Sequence, residues 1–212
     1  MNFVGFANMP ATQPGSSVMR ARDAQRLQTR GRVFEAAVTE IGQSGLAGAD
    51  VAAIAAAAGV ARGTFYFHFP TKEHVLVELE RAEEVKIVAK LDTRTENPDL
   101  MSVLTQLVRQ VLAAERRLGP VVFRDMLGLH FSATRPVEDQ LVEHPLAEFV
   151  IGVIARAQIA GRVTGAADAA ELGVIFLTGL FALLGTGVTA SRARTALLDR
   201  YVTTIVRGME ER

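Results

Sequence analysis

Residues 51–69, "VAAIAAAAGVARGTFYFHF", constrain the fold more than any other part of the chain. Two short segments of helical composition flank Gly59, a residue that accepts the left-handed backbone with which many helices end. The alanine run before Gly59 lets two helices approach closely. The pattern predicts a helix-turn-helix whose second short helix begins at Ala61.

The rest of the sequence predicts an all-α protein of about nine helices. Beyond residue 20, apolar residues recur at helical spacing, and no run alternates as a strand does. We expect residues 1–20, rich in Pro, Gly, Ser and Asn, to form a disordered tail. The predicted helices are about 23–43, one from Asp50 to Gly59, one from Ala61, one from Thr71, about 99–118, one from Pro120, one reaching Ala160, one capped by Asp168, and about 193–209.

The second short helix carries side chains suited to DNA. Arg62 lies at its exposed end, where it can bind a guanine or a phosphate in the major groove. We interpret Phe65 and Phe69 as core residues. The other candidate contacts are Gly63 for close approach, Thr64 for a phosphate or a thymine methyl group, and Tyr66 and His68 as donors to phosphate oxygens.

Lys72 and the distribution of charge support an anionic partner. Lys72 starts the next predicted helix, where free N–H groups also favour a phosphate. Residues 1–72 hold seven Lys or Arg and four Asp or Glu, whereas the whole chain has a formal net charge of zero. The basic excess therefore lies beside the predicted helix-turn-helix.

Residues 29–76 resemble the DNA-binding domain of TetR-type (tetracycline-repressor-like) transcriptional regulators. The resemblance is carried by "AGV" at 58–60, "GTFY" at 63–66, "HF" at 68–69 and "KE" at 72–73. It implies a homodimer that binds a double-stranded DNA operator, and it adds Thr29 to the DNA-binding candidates. Ala49 and Ala61 depart from the family, which usually has Ser or Thr near these positions.

The resemblance also implies a larger helical C-terminal domain that binds an effector and dimerises through its last two helices. Residues 172–191 contain no charged side chain, which fits a helix in a dimer core or a single membrane span. We favour the buried helix and expect a cytoplasmic protein with no membrane segment. The expected organisation is a tail over 1–20, a DNA-binding domain over 21–70, and a ligand-binding and dimerisation domain over 71–212.

An apolar effector pocket is expected among the middle helices, with His130 as its polar group. The predicted lining residues are Leu107, Phe123, Met126, His130, Phe149 and Phe176. We expect no catalytic residue, cofactor or metal, because the chain lacks cysteine, a phosphate-binding glycine loop and a Gly-x-Ser-x-Gly motif. The segment "EDQLVEH", with Glu138, Asp139, Glu143 and His144, is interpreted as a solvated helix face rather than a divalent-ion site.

The leading hypothesis is a ligand-responsive repressor that binds a palindromic operator and is released by a small hydrophobic effector. The alternative is a ligand- or partner-binding helical dimer whose DNA-binding head has degenerated, as Ala49 and Ala61 suggest. A one-span membrane protein with a helix-turn-helix head is a third hypothesis. The operator, the regulated genes, the effector and the choice between repressor and activator are not specified by the sequence.

Overall fold

The computed structural model describes residues 14–91, 99–185 and 191–210, and over these residues the chain is all-α, as predicted. A 3-10 turn, Leu141–Glu143, precedes the seventh of the nine α-helices. The helices are α1 Pro14–Gly48, α2 Val51–Ala57, α3 Arg62–His68, α4 Lys72–Val88, α5 Leu100–Leu118, α6 Pro120–Leu129, α7 Pro145–Ile159, α8 Ala169–Gly185 and α9 Ser191–Met209.

Helix α1 is longer at both ends than the predicted 23–43. It begins at Pro14, so residues 14–20 of the expected tail are helical, and residues 1–13 lie outside the described part of the chain. Proline is tolerated in the first helical turn because its missing N–H has no intrahelical partner there. Near its other end α1 changes direction at Gly45, which has φ +72°.

The helix-turn-helix forms as the local sequence predicts. Asp50 caps α2 by accepting a hydrogen bond of 2.9 Å from the Ala52 N–H. Gly59 has φ +65°, so the turn has the left-handed backbone that favours glycine. Ala61 precedes α3 without a side-chain cap, as its methyl group dictates.

Two hydrophobic cores lie along the chain, and α4 and α6 connect them. The first surrounds the fully buried Phe65 and also contains Leu76 of α4 and Leu129 of α6. The second is built mainly from α5 to α9 and contains Ile87 of α4 and Phe123 of α6. A displacement of α4 or α6 within the second core would therefore also move residues of the first core.

The glycines of α8 permit close helix packing. A Cβ atom at Gly173 would lie 2.8 Å from Cγ1 of Ile151 on α7, and one at Gly179 would overlap the hydroxyl of Tyr201 on α9. Tyr201 donates a hydrogen bond of 2.6 Å to the main-chain oxygen of Phe176. Among the described residues, no helix is long and apolar enough to cross a membrane.

Candidate nucleic-acid interface and buried polar cluster

Helix α3 presents one side to solvent and is anchored by the other. Phe65 is fully buried, and its ring lies against Phe69 with the ring centroids 6.0 Å apart. Arg62, Gly63 and Tyr66 are exposed. The buried phenylalanines therefore fix the helix so that its predicted DNA contacts face outward.

An arginine row on α1 extends this surface. The guanidinium of Arg26 lies 5.0 Å from the ring centroid of Phe67, which is 65% exposed. Arg30 lies 4.5 Å from the ring centroid of Phe69 and pairs with Glu78 of α4. The four-residue spacing of Arg22, Arg26 and Arg30 places them on one helix face and is the signal that identifies this row.

His68 lies half-buried at the end of α3, beside the arginine row. Burial lowers the pKa of its imidazole, and the positive charges of Arg26 and Arg30 lower it further. His68 is therefore neutral at neutral pH, and a neutral imidazole still has one N–H to donate to a phosphate.

Lys72 has a partner within the protein. Its half-buried ammonium donates a hydrogen bond of 2.8 Å to the main-chain oxygen of Ala49 and lies 3.4 Å from the oxygen of Ala47. An ammonium has three donors, so this contact leaves capacity for a phosphate. Two other predicted contacts, Thr29 on α1 and Thr64 on α3, are half-buried.

Two of the six predicted ligand-binding residues lie together at a closed cavity. Phe123 and Met126 line a space of about 20 Å³ together with the side chains of Glu80, Glu83, Glu84, Ile87, Val111, Ala114, Leu127, Leu146 and Phe181. This volume suits one water molecule and is far below that of an organic ligand site. Leu107 and Phe176 are fully buried core residues, and Phe149 is half-buried against that core.

The predicted polar group His130 belongs to a buried cluster beside this cavity. It bonds to Oε1 of Glu80 and to the guanidinium of Arg135, and its ring stacks on Phe181 with centroids 4.7 Å apart. Burial lowers the pKa of His130 to about 3, with Arg135 adding to the effect. Arg135 therefore donates to a neutral ring, whose other nitrogen donates to Glu80.

His144 forms the other half of the cluster. Its Nε2 lies 2.8 Å from Oδ1 of Asp139, and its Nδ1 lies 3.2 Å from both carboxylate oxygens of Glu84. Although burial opposes its charge, the contact with Glu84 raises the pKa of His144. Burial raises the pKa of Glu80 well above its usual value, and the neighbouring Glu84 raises it further.

The interpretation of "EDQLVEH" as a solvated face is wrong for two of its members. Asp139 is 8% exposed and His144 is not exposed at all, whereas Glu138 and Glu143 face solvent. The cause is tertiary, because this segment folds against α4, which supplies the partners of both buried side chains.

The fold and the exposed face of α3 define the class of protein: an all-α chain with a helix-turn-helix near its N-terminus. Residues 33–79 match the sequence profile of the bacterial regulatory proteins of the tetR family. The resemblance to that family is thereby confirmed over residues 33–79.

Solved structures share the fold over most of the chain, two TetR-family transcription regulators among them. Thermus thermophilus FadR, a TetR-family repressor in complex with lauroyl-CoA, is 21% identical over 86% of this chain and 96% of its own, with a TM-score of 0.69. RolR in complex with resorcinol is 19% identical over 88% and 90%, with a TM-score of 0.65. A putative tetR-family regulator from Shewanella sp. PV-4 is 22% identical over 87% and 99%, with a TM-score of 0.63. Comparison with curated proteins gives no match.

Proposed function

We propose that this chain is a ligand-responsive transcriptional repressor that binds a palindromic operator as a homodimer. The observation that carries the proposal is the exposed face of α3, with Arg62 and Tyr66 turned outward above the buried Phe65. The arginine row of α1 adds positive charge beside it. Arg62 and Tyr66 then contact the major groove, and the row contacts the phosphate backbone.

The dimer is proposed to form through α8 and α9. On α8 the exposed positions Ile175, Thr178, Ala182 and Gly185 follow one another at intervals of three or four residues, so they share one face. These four positions carry no charge, Glu171 continues the face one turn earlier, and Ile175 is 56% exposed. A second copy covering it buries the isoleucine and relates two α3 helices by a two-fold axis, which fits a palindromic operator.

The effector is proposed to enter between α4, α5 and α6, where Phe123 and Met126 line the closed cavity. The TetR-fold proteins in complex with lauroyl-CoA and with resorcinol support a small molecule with an apolar part. Because the cavity holds only about 20 Å³, an effector of that kind must separate the helices around it. Linkage then requires that the effector bind the DNA-free state more tightly.

The route from the cavity to DNA runs through two contacts. On α6, Asp125 accepts a hydrogen bond of 2.7 Å from the Leu46 N–H of α1, and on α4, Lys72 bonds to Ala49. Separation of α4 from α6 changes one or both contacts. It thereby changes the distance between the two helix-turn-helix units of the dimer. The domain division at residue 70 and a cytoplasmic location are parts of this proposal.

Footprinting on DNA from the chain's own upstream region tests the proposal. We expect protection of two half-sites about one helical turn apart or somewhat more. Protection that is uniform along the duplex, or a single isolated half-site, contradicts the proposed palindromic operator.

The second candidate function is a ligand- or partner-binding helical dimer with a degenerate DNA-binding head. Two observations favour it. Helix α3 lacks a side-chain cap at Ala61, and one donor of the Lys72 ammonium is already used by the main-chain oxygen of Ala49. A gel-shift titration at low and at moderate salt separates the two functions. A shift that is equal for operator and scrambled DNA, and disappears at moderate salt, favours this candidate.

A further inference from the structure

Three buried metal-ligand groups meet beside the closed cavity. Glu80 and Glu84 lie one helical turn apart on α4, so their carboxylates share one face. His144 directly precedes α7. One ligand atom from each of these residues lies within 4.8 Å of the other two, and all three residues are buried. We infer that Glu80, Glu84 and His144 hold a divalent metal cation.

The distances fit atoms that share one cation. Nδ1 of His144 lies 3.2 Å from each carboxylate oxygen of Glu84. Two ligands that are each about 2.1 Å from a cation are separated by roughly 3 to 3.5 Å at tetrahedral or octahedral angles. The imidazole and the carboxylate therefore keep their spacing when the ion enters.

Asp139 orients the histidine for this role. Its Oδ1 lies 2.8 Å from Nε2 of His144, so the outer nitrogen is held by a carboxylate, and Nδ1 faces Glu84, where it can bind a cation once its own proton is displaced. Arg81 and Arg135 lie 3.0 Å and 2.8 Å from the oxygens of Asp139. This carboxylate–histidine pairing is the arrangement that fixes metal-bound histidines in proteins.

The charge of the site calls for a cation. Glu80 and Glu84 are each 3% exposed, and burial of two neighbouring carboxylates is costly; their partners His130 and His144 compensate that charge only when the imidazole is protonated. The two arginines of the cluster contact Asp139 rather than the glutamates. A dication between the glutamates balances both of them.

The adjacent cavity provides a further coordination position. Glu80 and Glu84 are among the residues that line it, and its volume of about 20 Å³ suits one water molecule. Catalytic zinc sites usually have three protein ligands and leave the fourth position to water or substrate, whereas structural zinc sites have four protein ligands. One imidazole with two carboxylates favours Zn²⁺ or a similar first-row ion over Mg²⁺.

Isothermal titration of the chelator-treated full-length protein with ZnCl₂ tests the inference. We expect saturation at about one ion per chain and much weaker binding of MgCl₂. Glu84→Gln keeps the size of the side chain but removes its charge, and we expect it to weaken Zn²⁺ binding by roughly 100-fold or more. Glu138→Gln is the matched control, because Glu138 is an exposed carboxylate that also pairs with a histidine, His74, at 2.8 Å.

Two results overturn the inference. One is the absence of saturable Zn²⁺ uptake by the wild type. The other is uptake that Glu84→Gln leaves unchanged and Glu138→Gln removes, which marks an adventitious surface site.

Cobalt(II) titration of the wild type gives a readout that needs no folded variant. A change in the visible spectrum that saturates at one equivalent and is reversed by Zn²⁺ supports the site. An unchanged spectrum contradicts it. Neither titration involves DNA, so failure of the proposed regulatory function leaves this test intact.

Discussion

The ammonium of Lys72 lies 2.8 Å from the main-chain oxygen of Ala49, so the first turn of α4 is hydrogen-bonded to the main chain two residues before α2 begins. This contact connects α4 directly to the helix-turn-helix. A shift of α4 along its axis either moves α2 with it or breaks the hydrogen bond. The same lysine is a predicted phosphate contact, so in the proposed function one side chain would join α4 to DNA.

Lys72→Met is expected to weaken binding to all DNA sequences by a similar factor. The substitution keeps the length of the side chain but removes its charge and its donors. The slope of log K against log salt should become shallower by about one unit, because one phosphate contact is lost. Anisotropy titrations at several salt concentrations measure this, with Lys90→Met, an exposed lysine far from α2, as control. A loss confined to the operator contradicts the assignment.

Arg62→Ala is expected to reduce discrimination between operator and scrambled DNA. A lost bidentate contact to guanine lowers operator affinity by roughly 10- to 100-fold, whereas binding to scrambled DNA changes much less. Competition titrations on the two duplexes give the ratio. Arg116→Ala on the exposed side of α5 is the control. Equal losses on both duplexes show that Arg62 contacts only phosphate.

Operator affinity is expected to rise as the pH falls from about 7.5 to 5.5, within the range where histidines titrate. Free His68 is neutral in most of this window, because burial and then Arg26 and Arg30 hold its pKa below the ordinary value. A DNA phosphate beside the ring favours the charged form, so binding takes up a proton and is favoured by acid. His68→Gln should flatten the pH profile. An equally steep profile in that variant removes His68 from the interface.

Ile175→Glu is expected to convert the dimer to monomers and to lower operator affinity. The new carboxylate lies on the exposed face of α8 beside uncharged side chains, where burial against a second copy leaves it without a partner. Light scattering after size-exclusion chromatography measures the mass. Val85→Glu makes the same change at a 55% exposed position of α4 and should leave the dimer intact. A wild-type monomer, or a dimer that survives Ile175→Glu, argues against this interface.

The helix-turn-helix was predictable because its determinants are local. Asp50 caps a helix that begins at the next residue, Gly59 fills a turn whose backbone few other residues accept, and Phe65 occupies the buried side of a seven-residue helix. The profile match over residues 33–79 shows that this local signal is also the one shared with the TetR family.

The rest of the site was not predictable because its contacts are distant in sequence. Lys72 reaches back 23 residues to Ala49, and His144 reaches back 60 residues to Glu84. Two glutamates four residues apart usually lie on a solvated helix face. The burial of Glu80 and Glu84 therefore follows only from the fold, which packs the segment around His144 against them. Phe67 was assigned neither to the core nor to the DNA contacts, because its contact with Arg26 on α1 is distant in sequence.

Fluorescence anisotropy measures sequence-specific DNA binding, on which the proposed function depends. Purified protein is titrated at moderate salt into labelled DNA from its own upstream region and into a scrambled duplex of the same composition. We expect tight binding to the upstream DNA and binding to the scrambled duplex that is weaker by about 1,000-fold or more. Equal affinity for the two duplexes, at a concentration where the upstream region is fully bound, contradicts it.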